Sequence, residues 1–296
     1  MKLPPFEYKS PTSLAEAVAI LAAEGGAARP LAGGQSLLPV LAFRLAAPSV
    51  LVDLRSIPDL RRITIDDKGV RLGAMTRWRD IEDDKRLRTA HPLLVAAIGH
   101  VAHYQIRNRG TVGGSLAHAD PATEMPGIAV TCDAEIEVVG ASGSRTLGAA
   151  DLFMGPLTTS LQPDEIITSV RLPPWPRARR WAFEEFSKRR GDYALAAVAA
   201  YYDEDEAGRV RDAHIGVIGA ADTPLRLAAA EQALNGRAID DGAIAAAAQV
   251  ASAAVDPPDD IHAPAAYRRA LVGTLLERAL RRAPRDREGS CRFDSR

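Results

Sequence analysis

The spacing of apolar residues near the start of the chain predicts a helix flanked by short strands. Residues 12–25 carry apolar side chains at helical spacing, with polar residues between them. Ser13 and Glu16 have the pattern of a helix N-terminus, in which a side chain caps a free backbone amide. A short strand is predicted at 29–31, leading into a short apolar segment, and the largely apolar run at 50–54 predicts a buried strand. The pattern therefore predicts a compact α/β unit.

The middle of the chain alternates between strand-like and helix-like patterns. The predicted elements are a hairpin at 63–65 and 70–73, helices at 77–88, 91–102 and 125–132, and strands at 135–139 and 165–172, with a tight turn at 141–144. Consecutive prolines in Pro173–Pro176 are incompatible with a helix or a central strand. We therefore predict a linker at this point.

Beyond the linker, three strand patterns precede three helix patterns, which predicts an antiparallel sheet backed by helices. The strands are predicted at 181–186, 194–202 and 209–218, and the helices at 224–235, 240–254 and 264–283. The chain is thus predicted to be α+β in three parts. These parts are residues 1–57, 58–175 and 177–283, followed by a tail, 284–296, that we predict to be disordered.

Two glycine-rich segments carry the candidate chemistry. Leu31–Leu37 contains the pair Gly33–Gly34, and Ile106–Asp120 contains the pair Gly113–Gly114. Glycine lets the backbone approach a ligand closely, and successive free amides in a turn suit an anion. Two such turns predict a clamp for one extended, doubly charged ligand such as a dinucleotide. The alternative is that each glycine pair only reverses the chain.

Two common nucleotide-binding motifs are absent from the sequence. No Gly-x-Gly-x-x-Gly follows the first predicted strand, as a Rossmann fold would require. The nearest glycine spacing, Gly216–Gly219, lies inside an apolar strand pattern. No Gly-Lys-Ser or Gly-Lys-Thr occurs, so the sequence contains no P-loop.

Composition narrows the function classes further. The chain has 37 lysines and arginines against 38 acidic residues, which argues against a nucleic-acid binder. No apolar signal region or membrane-length apolar run occurs, so we predict a cytoplasmic location without an integral membrane segment. The two cysteines, Cys132 and Cys291, form no CxxC pattern and cannot hold an iron–sulfur cluster alone. No histidine, acid and cysteine set has metal-ligand spacing, so no metal site is predicted.

Three motifs, in this order, resemble a known family. They are Ala32-Gly-Gly-Gln-Ser36, Arg107-Asn-Arg-Gly-Thr-Val-Gly-Gly-Ser115 and Gly191-Asp-Tyr-Ala194. The chain resembles, from Phe6 to Leu280, the FAD-binding (medium) subunits of the molybdenum hydroxylases, which include xanthine and carbon-monoxide dehydrogenases. This resemblance implies the two-subdomain FAD-binding fold of the PCMH / vanillyl-alcohol-oxidase type. A C-terminal domain of antiparallel sheet and three helices would cover the flavin ring.

The resemblance also implies which residues bind FAD. The first subdomain would line the pyrophosphate and ribityl side with Ala32, Gly33, Gly34, Gln35, Ser36 and Leu37. The second subdomain would approach with Thr111, Val112, Gly113, Gly114 and Ser115. Backbone amides and hydroxyls can bind a charged diester without a mobile lysine.

Five further positions match cofactor contacts of the family. Val101 and Ile167 match residues that pack on adenine or flavin, although from sequence alone both are ordinary core residues. Glu124 matches an acid near the flavin or adenosine, but an acid also suits the first turn of a helix. Tyr193 would lie beside the ring with Asp192 holding the turn. The alternative is that Tyr193 only opens a strand.

One departure from the family lies just before that turn. Many relatives carry a lysine within 183–186, where this chain has Glu184 and Glu185, and its Lys188 lies nearer the turn. A lysine–flavin contact is therefore not expected here. We expect Arg107 and Arg109 either to fix the second glycine segment through carbonyls and acids or to face a partner subunit. We expect Asp120 to fix the loop.

The resemblance implies electron transfer by FAD, with no catalytic residue supplied by this chain. A large partner subunit would carry the molybdenum cofactor, and a small partner subunit the [2Fe–2S] clusters, in a dimer of heterotrimers. FAD would pass the electrons to quinone or NAD. Two alternatives are a free-standing FAD-dependent oxidoreductase and a scaffold subunit that has lost FAD.

Overall fold

The computed structural model describes residues 2–283, which form three packed units around three main hydrophobic cores. Helices and strands are mixed in all three units, which confirms the α+β class. The predicted disordered tail, 284–296, lies outside the described residues, as does Cys291.

The first unit is a three-stranded parallel sheet, in the order β1–β3–β2, packed against one helix. Its elements are β1 (Glu7–Lys9), α1 (Leu14–Glu24), β2 (Ala28–Leu31), α2 (Leu37–Ala42) and β3 (Val50–Asp53). The Ser13 hydroxyl accepts the amide of Glu16 at 3.2 Å, which confirms the predicted helix start. Gly25 ends α1 in the left-handed conformation, at φ 55°. Strand β1 was not predicted because three residues are too few to show a pattern.

The second unit is a five-stranded antiparallel sheet, in the order β4–β5–β10–β6–β7, with six short helices between β5 and β6 and a seventh after β7. Its elements are β4 (Ile63–Asp66), β5 (Gly69–Gly73), α3 (Trp78–Asp83), α4 (Leu87–Ala90), α5 (Pro92–Ile98), α6 (Tyr104–Arg107), α7 (Val112–His118), α8 (Glu124–Thr131), β6 (Glu135–Gly140), β7 (Gly143–Gly148), α9 (Ala149–Leu152), β8 (Phe153–Gly155), β9 (Thr158–Thr159) and β10 (Ile166–Leu172).

Two predictions in this unit are wrong in detail. The predicted helix 77–88 forms two helices, α3 and α4. His91 caps the helix that follows them, α5, since its side chain accepts the amide of Leu94 at 3.2 Å. Strand β7 was missed, since all its residues except Leu147 are exposed and show no apolar alternation.

The C-terminal unit is a four-stranded antiparallel sheet whose strands follow chain order, with three helices on one face. Its elements are β11 (Arg180–Phe186), β12 (Ala196–Glu204), β13 (Val210–Ile218), β14 (Leu225–Arg226), α10 (Ala228–Leu234), α11 (Asp241–Ala254) and α12 (Ala265–Arg282). The other face packs on the second unit. There, a Cβ on Gly216 would collide with Thr131 of α8, so these two units approach at backbone distance.

Aromatic and charged side chains around the proline linker also join these two units. Trp175 of the linker lies between His91, at 4.5 Å between ring centroids, and Tyr201, at 5.2 Å. Arg179 stacks over the Tyr201 ring at 4.6 Å and pairs with Asp203 at 2.8 Å. Because the linker is anchored on both sides, it fixes the C-terminal sheet on the second unit.

Within residues 2–283, the structure contains no helix that is both long and apolar enough to cross a membrane.

Candidate functional site

The structure brings the two glycine segments into direct contact. A Cβ on Gly33 would overlap the carbonyl of Arg109 and lie 2.9 Å from the Cα of Gly110. Gly114 also lies close to the first glycine segment, since a Cβ added to it would be 3.4 Å from the Cβ of Ala32. Gly33 is therefore required by the close approach of two backbones rather than by an unusual torsion angle.

The first glycine segment offers a run of unused backbone donors. Between the end of β2 at Leu31 and the first residue of α2, the amides of Gly33, Gly34, Gln35, Ser36 and Leu37 donate to no acceptor among the described residues. Gly34 takes the left-handed conformation, at φ 73°. The Gln35 side chain donates to the carbonyl of Gly33 at 3.1 Å and braces the turn. Consecutive free amides of this kind attract an anion.

The second glycine segment differs from the predicted turn. It forms the short helix α7, and its first amides are already used. Val112 donates to Thr76 at 2.9 Å, Gly113 to Ala74 at 2.8 Å, and Gly114 to the hydroxyl of Thr111 at 3.2 Å. The prediction of free amides is wrong here because the carbonyls of Ala74 and Thr76, just after β5, and the N-cap threonine accept them. A cofactor role for Thr111–Ser115 stays a prediction. Within this segment the side chain of Ser115 is half-buried, whereas that of Thr111 is buried.

We expect the N-cap of α7 to stabilise the wall against which Gly33 packs. Thr111 is 3 % exposed, and its hydroxyl accepts a backbone amide at the helix start. Thr111→Ala should lower the free energy of unfolding by about 1 kcal/mol, as the loss of an N-cap usually does. Urea denaturation measures this change. Thr111→Ser keeps the hydroxyl and should retain most of the stability, and equal losses in both variants would contradict the role of the cap.

The Gly191–Tyr193 turn reaches from the C-terminal unit to the second unit. Gly191 has φ 87°, and a Cβ on it would lie 2.7 Å from the imidazole of His103. Tyr193 is 60 % exposed and precedes β12 without joining it, which disagrees with the alternative that Tyr193 only opens a strand. Partial burial raises the pKa of Tyr193, and the acids Asp120 and Glu124 raise it further. Tyr193 therefore lies within electrostatic reach of both acids, while Asp192 is exposed.

Glu124 is a buried acid at the start of α8. Its residue is 6 % exposed, and desolvation raises the pKa of its carboxyl to about 8, with Glu185 and then Asp120 raising it as like charges. Burial of this carboxyl therefore favours its neutral, protonated form. Val101 and Ile167 are buried in the core of the second unit, as expected for ordinary core residues. Their contact with the cofactor stays a prediction.

Of the charged residues expected to fix the second glycine segment, Arg107 and Asp120 do so. Arg107 donates to the carbonyls of Val101 and Ala102 at 3.0 and 2.8 Å. Asp120 accepts the amide of Ala122 at 2.9 Å. Arg107 and Asp120 therefore hold the loops at both ends of α7.

Sequence reasoning missed two further ionisable residues, Glu185 and its neighbour His100. Glu185 lies on β11 with its side chain 3 % exposed, and its Oε1 is 3.6 Å from Nδ1 of His100. The sequence contained a sign of this burial, because Trp181, Phe183 and Glu185 alternate along β11 and therefore share one face. Trp181 and Phe183 pack against the core of the second unit. An acid at the next inward position of such a strand is a buried ionisable group, and such groups concentrate at functional sites.

The residues 2–283 bring together no group of three histidine, cysteine or acidic side chains that could hold a metal ion. The candidate site presents amide donors, hydroxyls, one tyrosine and buried acids.

Comparison with known proteins gives the class of protein that this fold and site define. A family model described as the FAD binding domain in molybdopterin dehydrogenase matches residues 4–175. A second model, the CO dehydrogenase flavoprotein C-terminal domain, matches residues 181–283.

Individual relatives match over nearly the whole chain. The nicotine 6-hydroxylase medium subunit of Paenarthrobacter nicotinovorans is 41 % identical over 95 % of this chain and 98 % of its own length. The carbon monoxide dehydrogenase medium chain of Afipia carboxidovorans is 38 % identical, over 94 % and 96 %. Among solved structures, a reconstituted CO dehydrogenase from Oligotropha carboxidovorans matches with a TM-score of 0.93 and 38 % identity, covering 96 % of this chain and 99 % of that one.

The chain belongs to the family of FAD-binding medium subunits of the molybdenum hydroxylases. It is an oxidoreductase subunit with FAD as its cofactor, and its relatives are medium subunits of multi-subunit dehydrogenases. These comparisons confirm the resemblance seen in the three motifs and the fold predicted from it.

Proposed function

We propose that this chain is the electron-transfer subunit of a molybdenum-containing dehydrogenase. It accepts electrons from [2Fe–2S] clusters of a small partner subunit and passes them through FAD to an external acceptor, quinone or NAD. A large partner subunit oxidises the substrate at a molybdenum cofactor. The assembly is a dimer of heterotrimers in the cytoplasm, and the chain divides functionally at 1–57, 58–175 and 177–283.

The observation that carries this proposal is the run of free amides at Gly33–Leu37, held in place by the Arg109–Gly110 backbone. A bound FAD has a diphosphate whose oxygens need donors, and these amides supply donors at no cost in side-chain entropy. The residues present therefore fit the cofactor. FAD, when bound, supplies the chemistry of accepting and releasing electrons one or two at a time.

In this proposal the chain binds, orients and shields its cofactor. Ala32–Leu37 hold the diphosphate side, and Thr111–Ser115 form the closely packed wall opposite. Tyr193 and Asp192, on the turn that the C-terminal unit extends toward His103, limit access to the ring. Glu124 provides a neutral, buried acid nearby.

The need for partner subunits is supported by the cysteines and by the relatives. The one cysteine within the described residues, Cys132, is buried, so no thiolate cluster lies at this site. The relatives are named medium chains or medium subunits, which implies further chains of other sizes. Electrons must then reach this chain from a cluster held elsewhere.

Purification of the tagged chain with its native partners tests the proposal. We expect a yellow complex that contains FAD, molybdenum and iron, and bleaching of the flavin absorbance when the complex is given its substrate. A yellow monomer that oxidises an organic substrate alone would overturn the proposal in favour of a free-standing oxidoreductase. A colourless complex would overturn it in favour of a scaffold.

A further inference from the structure

Tyr193 is an exposed aromatic side chain on a backbone segment that is held at both ends. The tyrosine is 60 % exposed, whereas Leu195, two residues later, is buried. Before Tyr193, the amide of Asp192 donates to the carbonyl of Arg189 at 3.0 Å. After it, the amide of Leu195 donates to the carbonyl of Phe186 at 2.8 Å. An exposed aromatic ring on a fixed backbone is well placed to contact a ligand.

One arginine fixes the surface on which the first end of this segment rests. A Cβ on Gly191 would lie 2.7 Å from the imidazole of His103 and 3.0 Å from the carbonyl oxygen of Ala102. Ala102 has φ 40°, in the left-handed region that residues other than glycine rarely adopt. Arg107 Nη1 donates to the carbonyl of Ala102 at 2.8 Å and to that of Val101 at 3.0 Å. Arg107 therefore holds the strained corner against which the Gly191 turn packs.

A second, buried arginine fixes the other end of the segment. Arg268 lies on α12, and its Nη1 donates to the carbonyl of Leu195 at 2.7 Å and to that of Gly219 at 2.9 Å. Its Nη2 pairs with Asp260 at 2.8 Å. The amide of Gly219 in turn donates to the carbonyl of Pro121, in the second unit, at 2.9 Å. One guanidinium therefore binds both this segment and the backbone that joins the C-terminal unit to the second unit.

Packing alone does not explain Arg268. Its neighbours on the inward face of α12 are Leu271, Val272 and Leu275, which are buried in the core of the C-terminal unit. A buried charge is often less favourable than an apolar residue of similar volume, and Nε of Arg268 is buried without a hydrogen-bond partner among the described residues. What the arginine adds beyond packing is a fixed backbone beside Tyr193.

We propose that Arg107 and Arg268 are positioning residues that together fix Tyr193 beside the flavin ring; this inference rests on the proposed function. One arginine belongs to the second unit and the other to the C-terminal unit, and both act through the backbone of Gly191–Leu195. Because the segment is already held, Tyr193 loses only side-chain freedom when it packs on the ring. The access of solutes to that face of the flavin then depends on two residues far from Tyr193 in sequence.

Iodide quenching of flavin fluorescence in the FAD-loaded full chain tests this proposal, because the quenching constant measures how freely a solute reaches the ring. Tyr193→Ala gives the value for an uncovered ring. Arg268→Met removes the donors but keeps a long side chain, and its quenching constant should rise toward that of Tyr193→Ala. Arg107→Met should have the same effect. Arg268→Lys keeps the charge without the planar fork and should lie between Arg268→Met and the wild type.

A double variant distinguishes positioning from a general loosening of the chain. If Arg268 acts through Tyr193, Arg268→Met combined with Tyr193→Ala should have the quenching constant of Tyr193→Ala alone. Arg269→Lys is the matched control on the same helix, since Arg269 also binds a carbonyl, that of Val255, and a carboxylate, that of Asp256. This variant should have the wild-type quenching constant.

Amide hydrogen exchange in the FAD-free chain measures the hold on the segment without the cofactor, and its variants keep the charge in case Arg268→Met does not fold. Arg268→Lys and Arg107→Lys should both exchange faster than the wild type at the amides of Asp192 and Leu195.

Unchanged exchange at these amides, wild-type quenching constants with FAD bound, or a double variant in which the two effects add would each overturn the proposal. A wild-type chain that binds no FAD would instead overturn the proposed function, while the exchange measurement would still decide whether the two arginines hold the segment.

Discussion

Gly33→Ala should both destabilise the chain and release its flavin. The added methyl group would overlap the carbonyl of Arg109, which belongs to a backbone that cannot rotate away. Separating the two segments should lower the free energy of unfolding by about 3 kcal/mol, the upper end of the usual cost of overpacking. The amides that follow Gly33 would also shift. Losing two charge-assisted hydrogen bonds of about 1.5 kcal/mol each weakens FAD binding about a hundredfold.

Urea denaturation and a flavin fluorescence titration measure these two effects. Gly155→Ala is the matched control, since a Cβ there meets nothing within 4 Å and should change neither quantity. If Gly33→Ala bound FAD with the wild-type Kd, the contact between the glycine segments would have no part in the site.

Glu124→Gln should make the FAD-free chain more stable at alkaline pH. Burial raises the pKa of Glu124 from 4.5 to about 8 in the folded chain. Between these values the folded chain keeps a proton that the unfolded chain has released, so stability falls as the pH rises toward 8. Glutamine has no such proton to lose. At pH 9 the variant should exceed the wild type by on the order of 3–5 kcal/mol, and at pH 4 the two should be similar.

Urea denaturation of both chains at the two pH values measures this difference. Exposed Glu277, which pairs with Arg281 at 3.0 Å, provides the comparison Glu277→Gln, for which we expect a change of less than about 1 kcal/mol at either pH. Parallel pH profiles for wild type and Glu124→Gln would contradict a buried, neutral Glu124.

The sequence predicted those parts of the fold that show apolar periodicity or turn residues. Helix α1 was predicted from its stripe and from Ser13, and the linker from Pro173–Pro176. Strand β7 was missed because an exposed edge strand has no apolar alternation. The second glycine segment was read as a turn, because glycine composition alone does not reveal that Ala74 and Thr76 accept its amides.

The candidate site shows the same division between local pattern and tertiary contact. The glycine pairs and the Gly191–Tyr193 motif are local patterns. The structure packs Gly33 against the Arg109–Gly110 backbone and Gly191 against His103. Glu185 was noted only as a departure from a lysine. Its burial beside His100 depends on how β11 packs against α5, a contact between distant parts of the sequence that no local pattern encodes.

The central claim is that the free amides at Gly33–Leu37 bind the diphosphate of FAD, and thermal unfolding of the purified chain with added ligand tests it most directly. FAD at about a thousandfold excess over its Kd should add about 4 kcal/mol to the free energy of unfolding, so Tm should rise with each addition. Riboflavin has the ring but no phosphate, and it should leave Tm nearly unchanged. A flat titration with FAD, or an equal rise with riboflavin, would contradict the claim.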